Sequence, residues 1–268
     1  MSASPAAPVP DELLQRLRRF HDQAFPPYRA QFRELVETGQ HPTTLFIGCS
    51  DSRLLPYLLT GAGPGEVFMV RNVGAIVPPF TGTGASSGAA RGSTHHGTAA
   101  AIEYAVLNLG VHRIVVCGHS HCGAMRALYD DISPEAVNLG AWLDLAREAA
   151  LPVRLFDPDA AESEHADGLR PEVLRRTEQR SIVLQLERLM DYPMVRRRVE
   201  RGELALHGWY YVIEDGEVHV FDVRSGAFVP ASRAEHSGTG PYGAADDTAV
   251  FNEIDESLAP RRLRTAVP

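Results

Sequence analysis

Two short stretches of the sequence end an apolar run with side chains that can bind a metal. In LFIGCSDSR the run stops at Cys49, and Asp51 and Arg53 follow within four residues. In VVCGHSHCGAM a second run leads into His119 and Cys122, which are three residues apart. Two thiolates and one imidazole suit zinc, and three protein ligands leave a fourth position for water. These residues therefore predict a catalytic zinc site made of Cys49, His119 and Cys122.

The same residues also have a simpler interpretation. Cys49 and Cys122 could be ordinary buried thiols, and His119 a hydrogen-bonded histidine of the core. Three such residues at strand ends, beside charged neighbours, favour the metal site. His121 adjoins Cys122, but neighbouring residues on a helix point about 100° apart, so we expect His121 to stay off the metal. Cys117 lies within its apolar run and is expected in the core.

Asp51 and Arg53 follow Cys49 by two and four residues. They could form a structural ion pair beside a turn. Their position next to a metal ligand instead favours a role at the site, in which Arg53 keeps Asp51 ionised and oriented through charge-assisted hydrogen bonds. Asp51 would then orient the reacting water.

The elements that position these residues resemble those of a parallel sheet. Three short apolar runs predict strands buried on both faces: residues 43–47, 67–70 and 114–117. Between the last two, GTAAAIEYAVLNLG has the apolar spacing of a helix. Strand, helix and strand in this order predict a parallel sheet with a right-handed crossover. The candidate ligands would then meet at the carboxyl edge, where open α/β folds bind ligands.

Further helices are predicted from apolar periodicity, caps and prolines: residues 11–24, about 29–38, from Ser133-Pro134 onward, 171–190 and 193–202. WYYVIEDGEVHVFD predicts two strands joined at Asp215-Gly216. The predicted fold is therefore α/β, with a mostly parallel central sheet flanked by helices and a C-terminal strand hairpin. The apolar faces of the N-terminal helices are expected to pack on a partner subunit.

Length and composition indicate one large domain. The chain has 268 residues, of which 44% are hydrophobic, enough for a sizeable core. We expect the domain to cover residues 1–230, including an N-terminal helical arm over 1–40. The remainder, 231–268, is rich in Gly, Ala, Ser and charge and is expected to be a partly disordered tail. The Gly/Ser-rich segment 81–97 is predicted to be a long flexible loop.

Charge and cysteine content exclude several classes of protein. The net charge of −8 gives no general attraction to nucleic acid or to an anionic membrane. The sequence shows neither a secretory signal pattern nor an uninterrupted apolar run long enough to span a membrane, so a cytoplasmic enzyme is expected. Three cysteines, an odd number, argue against a disulfide framework.

Four motifs, in this order and spacing, resemble β-class carbonic anhydrases: CSDSR, GEVFMVRNVGAIVPP, IEYAV and CGHSHCGA. The resemblance runs from Gln40 to Ala124, with a weaker echo in LHGWYYVIEDGEV. It implies Zn²⁺ held by the three candidate ligands, reversible hydration of carbon dioxide to bicarbonate, an Asp51-Arg53 pair beside the metal, and a dimer as the smallest unit.

The resemblance also implies a substrate pocket made of Gln40, Phe68 and Tyr104. An apolar pocket with one or two hydrogen-bond donors suits carbon dioxide. Without the resemblance, Phe68 and Tyr104 would be assigned to the core and Gln40 to a loop.

Members of the family differ in regulation. In one subgroup the aspartate that corresponds to Asp51 leaves its arginine at lower pH and becomes the fourth metal ligand, stabilised by bicarbonate. That subgroup has tryptophan three residues before the first cysteine, where this chain has Phe46. Arg71 is available to pair with an anion. We expect the open form near neutral pH, with Asp51 bonded to Arg53.

Two other functions fit the same motifs. One is hydrolysis of a sulfur analogue, carbonyl sulfide or carbon disulfide; the other is a non-catalytic scaffold that docks an assembly partner through the 81–97 loop or the tail. The complete ligand set favours hydration of carbon dioxide. His95 and His96, within the loop, either bind a metal or are solvated. We expect a homodimer or tetramer in the cytoplasm, with a carboxysome-like compartment as an alternative location.

Overall fold

The computed structural model describes residues 11–80, 97–150, 168–234 and 238. The chain divides into two compact units, Met1–His41 and Pro42–Pro268. The predicted flexible loop, apart from Gly97, lies outside the described residues, and so does the tail apart from 231–234 and 238. In the part of the chain that is described, no helix is both long and apolar enough to cross a membrane.

The first unit consists of helices. Helix α1 covers Glu12–Arg19 and continues into a π-helical turn at Phe20–Ala24, and α2 covers Arg29–Thr38. Asp11 caps α1 by accepting a hydrogen bond from the backbone N–H of Leu14. Both predicted N-terminal helices are therefore confirmed.

The described part of the second unit contains a six-stranded sheet. The strands are β1 Thr44–Cys49, β2 Val67–Asn72, β3 Arg113–His119, β4 Ala205–Val212, β5 Glu217–Asp222 and β6 Ala227–Pro230. Their order is β2-β1-β3-β4-β5-β6; the first four pair in parallel, and β5 pairs antiparallel with both β4 and β6. The predicted mostly parallel sheet and terminal hairpin are confirmed.

Two details of the strand prediction were wrong. Strand β2 was expected to be buried on both faces, but it has one neighbouring strand and its side chains are partly exposed. Strand β6 was not predicted, because four residues are too short a segment to show an alternating pattern.

Six helices accompany the sheet: α3 Pro56–Thr60, α4 Gly97–Glu103, α5 Gly123–Arg126, α6 Val137–Asp144, α7 Pro171–Leu189 and α8 Pro193–Glu200, as far as the structure describes the unit. Helix α4 continues through a π-helical turn to Asn108. The helix predicted at Ser133-Pro134 begins later, at Val137, because the Ser133 carbonyl accepts a hydrogen bond from Ala136 in a preceding turn.

The sheet is buried on both sides at its centre. Leu45 and Ile47 of β1 belong to one apolar cluster, whereas Phe46 belongs to another. Since successive side chains of a strand point to opposite faces, the two clusters cover opposite faces of the sheet. This double burial explains why β1 and β3 read as continuous apolar runs.

Helix α7 lies across β3 and β4. At Gly118 of β3, a Cβ would come within 2.9 Å of the Ile182 side chain, and at Gly208 of β4 a Cβ would come within 3.0 Å of it. Glycine at both positions therefore lets α7 approach the sheet closely. This seating brings the polar side chains of α7 to the carboxyl edge of the strands.

Candidate metal centre

The three predicted ligands converge at the carboxyl edge of the sheet. Cys49 ends β1, His119 ends the adjacent parallel strand β3, and Cys122 follows three residues later. One ligand atom from each residue lies within 4.8 Å of the others, and all three residues are buried. The parallel pairing explains the convergence, since it brings both carboxyl ends to the same edge.

The turn that carries Cys122 differs from the prediction. The helical spacing assumed for His121 and Cys122 is wrong, because α5 begins at Gly123 and Cys122 is its extended N-cap residue. His121 has a φ of 56°, a left-handed conformation that is uncommon outside glycine. Its ring Nε2 lies 3.4 Å from Oε2 of Glu214. His121 is therefore outside the cluster of three ligands, for a reason other than helical spacing.

The ring of His119 is oriented as a metal ligand. Its Nδ1 donates a hydrogen bond to the carbonyl of Ser120 at 2.8 Å, which leaves the lone pair on Nε2. Nε2 is buried and has no hydrogen-bond partner among the described residues. An unpaired buried nitrogen is costly, and a metal ion would satisfy it. With two sulfur atoms beside this nitrogen, the residues fit zinc.

The two thiols shift each other's pKa in opposite directions. The neighbouring Cys122 thiol lowers the pKa of Cys49 to about 4 against the effect of burial, and His119 and the N–H groups of Asp51 and Gly74 act in the same direction as Cys122. Cys49 in turn raises the pKa of Cys122. The cluster therefore favours one thiolate before any cation binds, as a metal site requires.

Arg53 holds the Asp51 carboxylate through a bidentate pair of hydrogen bonds from its side chain and a third from its backbone N–H. Oδ1 accepts from the backbone N–H and from Nε of Arg53, both at 2.9 Å, and Oδ2 accepts from Nη2 at 2.8 Å. These bonds hold the pKa of Asp51 far below its usual range. Oδ2 also lies 3.8 Å from Nε2 of His119. The carboxylate is thus ionised, beside the ligands and directed to Arg53.

Arg71 holds the loop that carries Cys49 and Asp51. Its Nε donates to the carbonyl of Cys49 at 3.0 Å, and its Nη2 donates to the carbonyl of Asp51 at 2.7 Å. Arg71 therefore already has partners in the metal-binding loop.

Phe46 is buried and meets the Trp209 ring edge-on, with ring centroids 6.2 Å apart.

Phe68, one of the predicted substrate-pocket residues, lies away from the metal ligands along the sheet of its own chain. The rings of Phe68 and Tyr104 pack with centroids 5.7 Å apart. Phe68 pairs with Leu45, four residues before Cys49 on β1, a separation of about 13 Å along the strand. Gln40 belongs to the other compact unit. Their role as a pocket stays a prediction.

Several groups that support the site were not predicted. Glu178 of α7 is buried; its Oε1 accepts from the backbone N–H of Cys122 and its Oε2 from the hydroxyl of Tyr210, both at 2.7 Å. Burial raises the pKa of Glu178 to about 7, although the hydrogen bonds from Tyr210 and Cys122 oppose the shift. The sequence does not single Glu178 out, since the same helix also carries Glu172 and Glu187.

A second supporting contact joins the turn after β3 to the hairpin. The hydroxyl of Ser120 donates to Oε2 of Glu214 at 2.7 Å and accepts from the N–H of Ile213 at 2.9 Å. On the opposite side, Oε1 of Gln185 accepts from the N–H of Val77 at 2.9 Å. Residues distant in sequence thus fix the loops around the ligands.

Comparison with known proteins agrees with this geometry. A family model described as carbonic anhydrase matches residues 44–218. A carbonic anhydrase of Pseudomonas aeruginosa is 39% identical over 240 residues, which cover 89% of this chain and 99% of the relative.

Solved structures show the same similarity. The β-carbonic anhydrase CcaA matches with a TM-score of 0.69 and 35% identity, covering 81% of this chain and 97% of the other. A structure described as one of two tetrameric β-carbonic anhydrases of Sordaria macrospora matches with a TM-score of 0.57 and 30% identity, covering 78% and 97%.

Proposed function

This chain belongs to the β-class carbonic anhydrases, and from that premise we propose that it hydrates carbon dioxide reversibly to bicarbonate, with Zn²⁺ held by Cys49, His119 and Cys122. The observation that carries the proposal is the convergence of two thiols on a buried imidazole nitrogen that has no hydrogen-bond partner among the described residues. Zinc, when bound, lowers the pKa of a coordinated water toward neutrality, an effect whose standard example is a carbonic anhydrase with three histidine ligands.

Asp51 and Arg53 orient the reacting water at this site. Arg53 bonds both oxygens of Asp51, so the carboxylate stays ionised and keeps a fixed direction. Asp51 then accepts a hydrogen bond from the reacting water and aligns its attacking lone pair. We propose that Asp51 remains with Arg53 in the open form near neutral pH, and that it becomes a metal ligand only in a closed form.

The substrate pocket requires more than one chain. Carbon dioxide is uncharged, and we propose that Phe68, Tyr104 and Gln40 line its pocket, with the amide of Gln40 as a donor. Because the Phe68-Tyr104 pair lies well away from the ligands of its own chain along the sheet, a second copy has to bring these residues to the metal. A homodimer or tetramer is therefore part of the proposal, in agreement with the tetrameric relative.

The proposal is tested on purified protein by metal analysis and by stopped-flow hydration of carbon dioxide, with release of sulfide from carbonyl sulfide measured in parallel. We expect about one zinc per chain and brisk hydration. Sulfide release without detectable hydration would instead identify a hydrolase of sulfur analogues. Zinc far below stoichiometry, with neither activity, would identify a non-catalytic scaffold.

A further inference from the structure

We propose that Glu178 is a positioning residue for the metal ligand Cys122: its buried carboxylate fixes the one ligand that lies outside the strands. This inference rests on the proposed zinc site and goes beyond it, since it names the group that sets the geometry of the third ligand.

The three ligands are held to different extents by the backbone. Cys49 and His119 are the last residues of β1 and β3, and the ladder continues past each of them, with N–H of Ser50 bonded to the carbonyl of Asn72 and N–H of Ser120 bonded to that of Tyr211. Their positions are therefore fixed by the sheet.

Cys122 lacks that support. It follows the left-handed residue His121 and precedes α5, a helix of only four residues. It is the extended N-cap residue of that helix, and its carbonyl accepts from the N–H of Arg126 at 3.0 Å. The backbone N–H of Cys122 donates to Oε1 of Glu178 at 2.7 Å. That bond holds the turn from the side of α7.

Glu178 is itself fixed at both oxygens. It is 3% exposed, and Oε2 accepts from the hydroxyl of Tyr210 on β4 at 2.7 Å. Ile182 lies one helical turn after Glu178, on the same face of α7, and packs against Gly118 of β3. The carboxylate therefore links α7, β4 and the turn after β3. Because α7 packs against β3, this link fixes the position of Cys122 relative to the strand that carries His119.

A carboxylate at this depth is costly unless both oxygens are hydrogen-bonded. Both oxygens of Glu178 are hydrogen-bonded, and the oxygen that accepts from the Cys122 N–H restrains the Cys122 backbone. Residues that orient metal ligands commonly affect metal affinity as well as activity.

The test compares zinc affinity across variants of Glu178. We expect Glu178→Ala to raise the zinc dissociation constant about 10- to 100-fold, measured by competition with a chromophoric chelator. The cobalt-substituted variant should show an altered thiolate-to-metal absorption band. Glu178→Gln keeps a carbonyl oxygen for the Cys122 N–H and should recover most of the affinity. Glu178→Leu, which has similar volume and no acceptor, serves in place of the alanine variant if that variant does not fold.

The matched control is Thr177→Val, on the same helix. Thr177 is also buried and bonds the hydroxyl of Tyr129, without touching a metal ligand. We expect this variant to lower the unfolding midpoint in urea without weakening zinc binding.

The proposal is overturned if Glu178→Ala binds zinc as tightly as the parent, if Glu178→Gln is no better than Glu178→Ala, or if Thr177→Val weakens zinc equally. A parent that binds no zinc overturns both this inference and the proposed function. A parent that binds zinc but does not hydrate carbon dioxide overturns the proposed function alone, and the comparison of zinc affinities still decides the role of Glu178.

Discussion

The carboxyl edge of the sheet and the N-terminal arm, residues 11–41, differ in how far their side chains are buried within one chain. At the edge, the three ligands are buried and converge within one chain, and both oxygens of the buried Glu178 have partners in the same chain. In the arm, none of the described residues is buried. Leu17 is 64% exposed and Val36 is 84% exposed. The metal ligands therefore converge within one chain, whereas large apolar side chains of the arm are exposed.

The arm also contains an open groove. Its lining mixes apolar and charged side chains: His21, Phe25, Arg29, Phe32, Arg33, Val36 and Glu37. On α1, the apolar residues Leu13, Leu14 and Leu17, followed by Phe20, are exposed as well. Such a surface is typical of an interface between subunits.

The largest effect is expected from removing a metal ligand at the edge. In Cys122→Ala the zinc would have two protein ligands, so bound zinc should fall from about one per chain to about none and activity should fall to background. Metal analysis and stopped-flow hydration measure both. The matched control is His121→Ala, because His121 faces Glu214 instead of the ligands; a variant of His121 that lost its zinc would contradict this assignment.

A large loss of rate without loss of metal is expected from Asp51→Asn. The amide keeps the shape of the carboxylate but loses its charge and its second acceptor oxygen, so Nη2 or Nε of Arg53 faces an NH2 group instead. We expect the turnover number to fall about 10²- to 10³-fold, in the range found when one preorganised hydrogen-bonding group is removed. Zinc content should stay unchanged. Near-parental turnover would exclude the orienting role of Asp51.

His207 of β4 is a second buried histidine, and it lies outside the set of metal ligands. Its ring nitrogens are buried and have no hydrogen-bond partner among the described residues. Burial, with a smaller contribution from Arg113, lowers its pKa to about 4. The unfolded chain takes up this proton near pH 6.5 and the folded chain only near pH 4, so stability falls as pH falls through that window.

The corresponding loss in the free energy of unfolding is up to about 3 kcal/mol between pH 6.5 and pH 4. His207→Gln does not titrate and should lose less stability over the same window, even if it is less stable at pH 7. Urea unfolding of both proteins at several pH values measures the difference. Equal pH dependence in the two proteins would show that His207 is not protonated on unfolding.

The smallest effect is expected in the arm. Each exposed leucine buried at an interface contributes about 1.5–3 kcal/mol, so Leu17→Glu should weaken association about 10- to 100-fold. Light scattering at several concentrations measures this, with Gln15→Glu as a control that adds the same charge to α1. We expect dimers or tetramers for the parent and the control. A monomeric parent would contradict the interface assigned to the arm.

Local patterns in the sequence were sufficient for most elements. Helix α2 ends at Thr38 before Gly39, and the hairpin turns at Gly216 with a φ of 66°, both as predicted. The helix predicted from Ser133 begins only at Val137, because a cap-like serine and a proline also suit a turn. Patterns of this kind predict the backbone conformation of a few neighbouring residues. They do not predict which residues a side chain contacts in the folded protein.

The sequence by itself determined the ligand types and the edge at which they meet. Cys49 and His119 end apolar runs, and parallel strands carry such ends to the same place. Only the tertiary structure decided which groups hold the ligands. Glu178 is 56 residues from Cys122, and Arg71 is 22 residues from Cys49. These contacts depend on how α7 and β2 lie against the sheet, which long-range packing sets and local periodicity does not record.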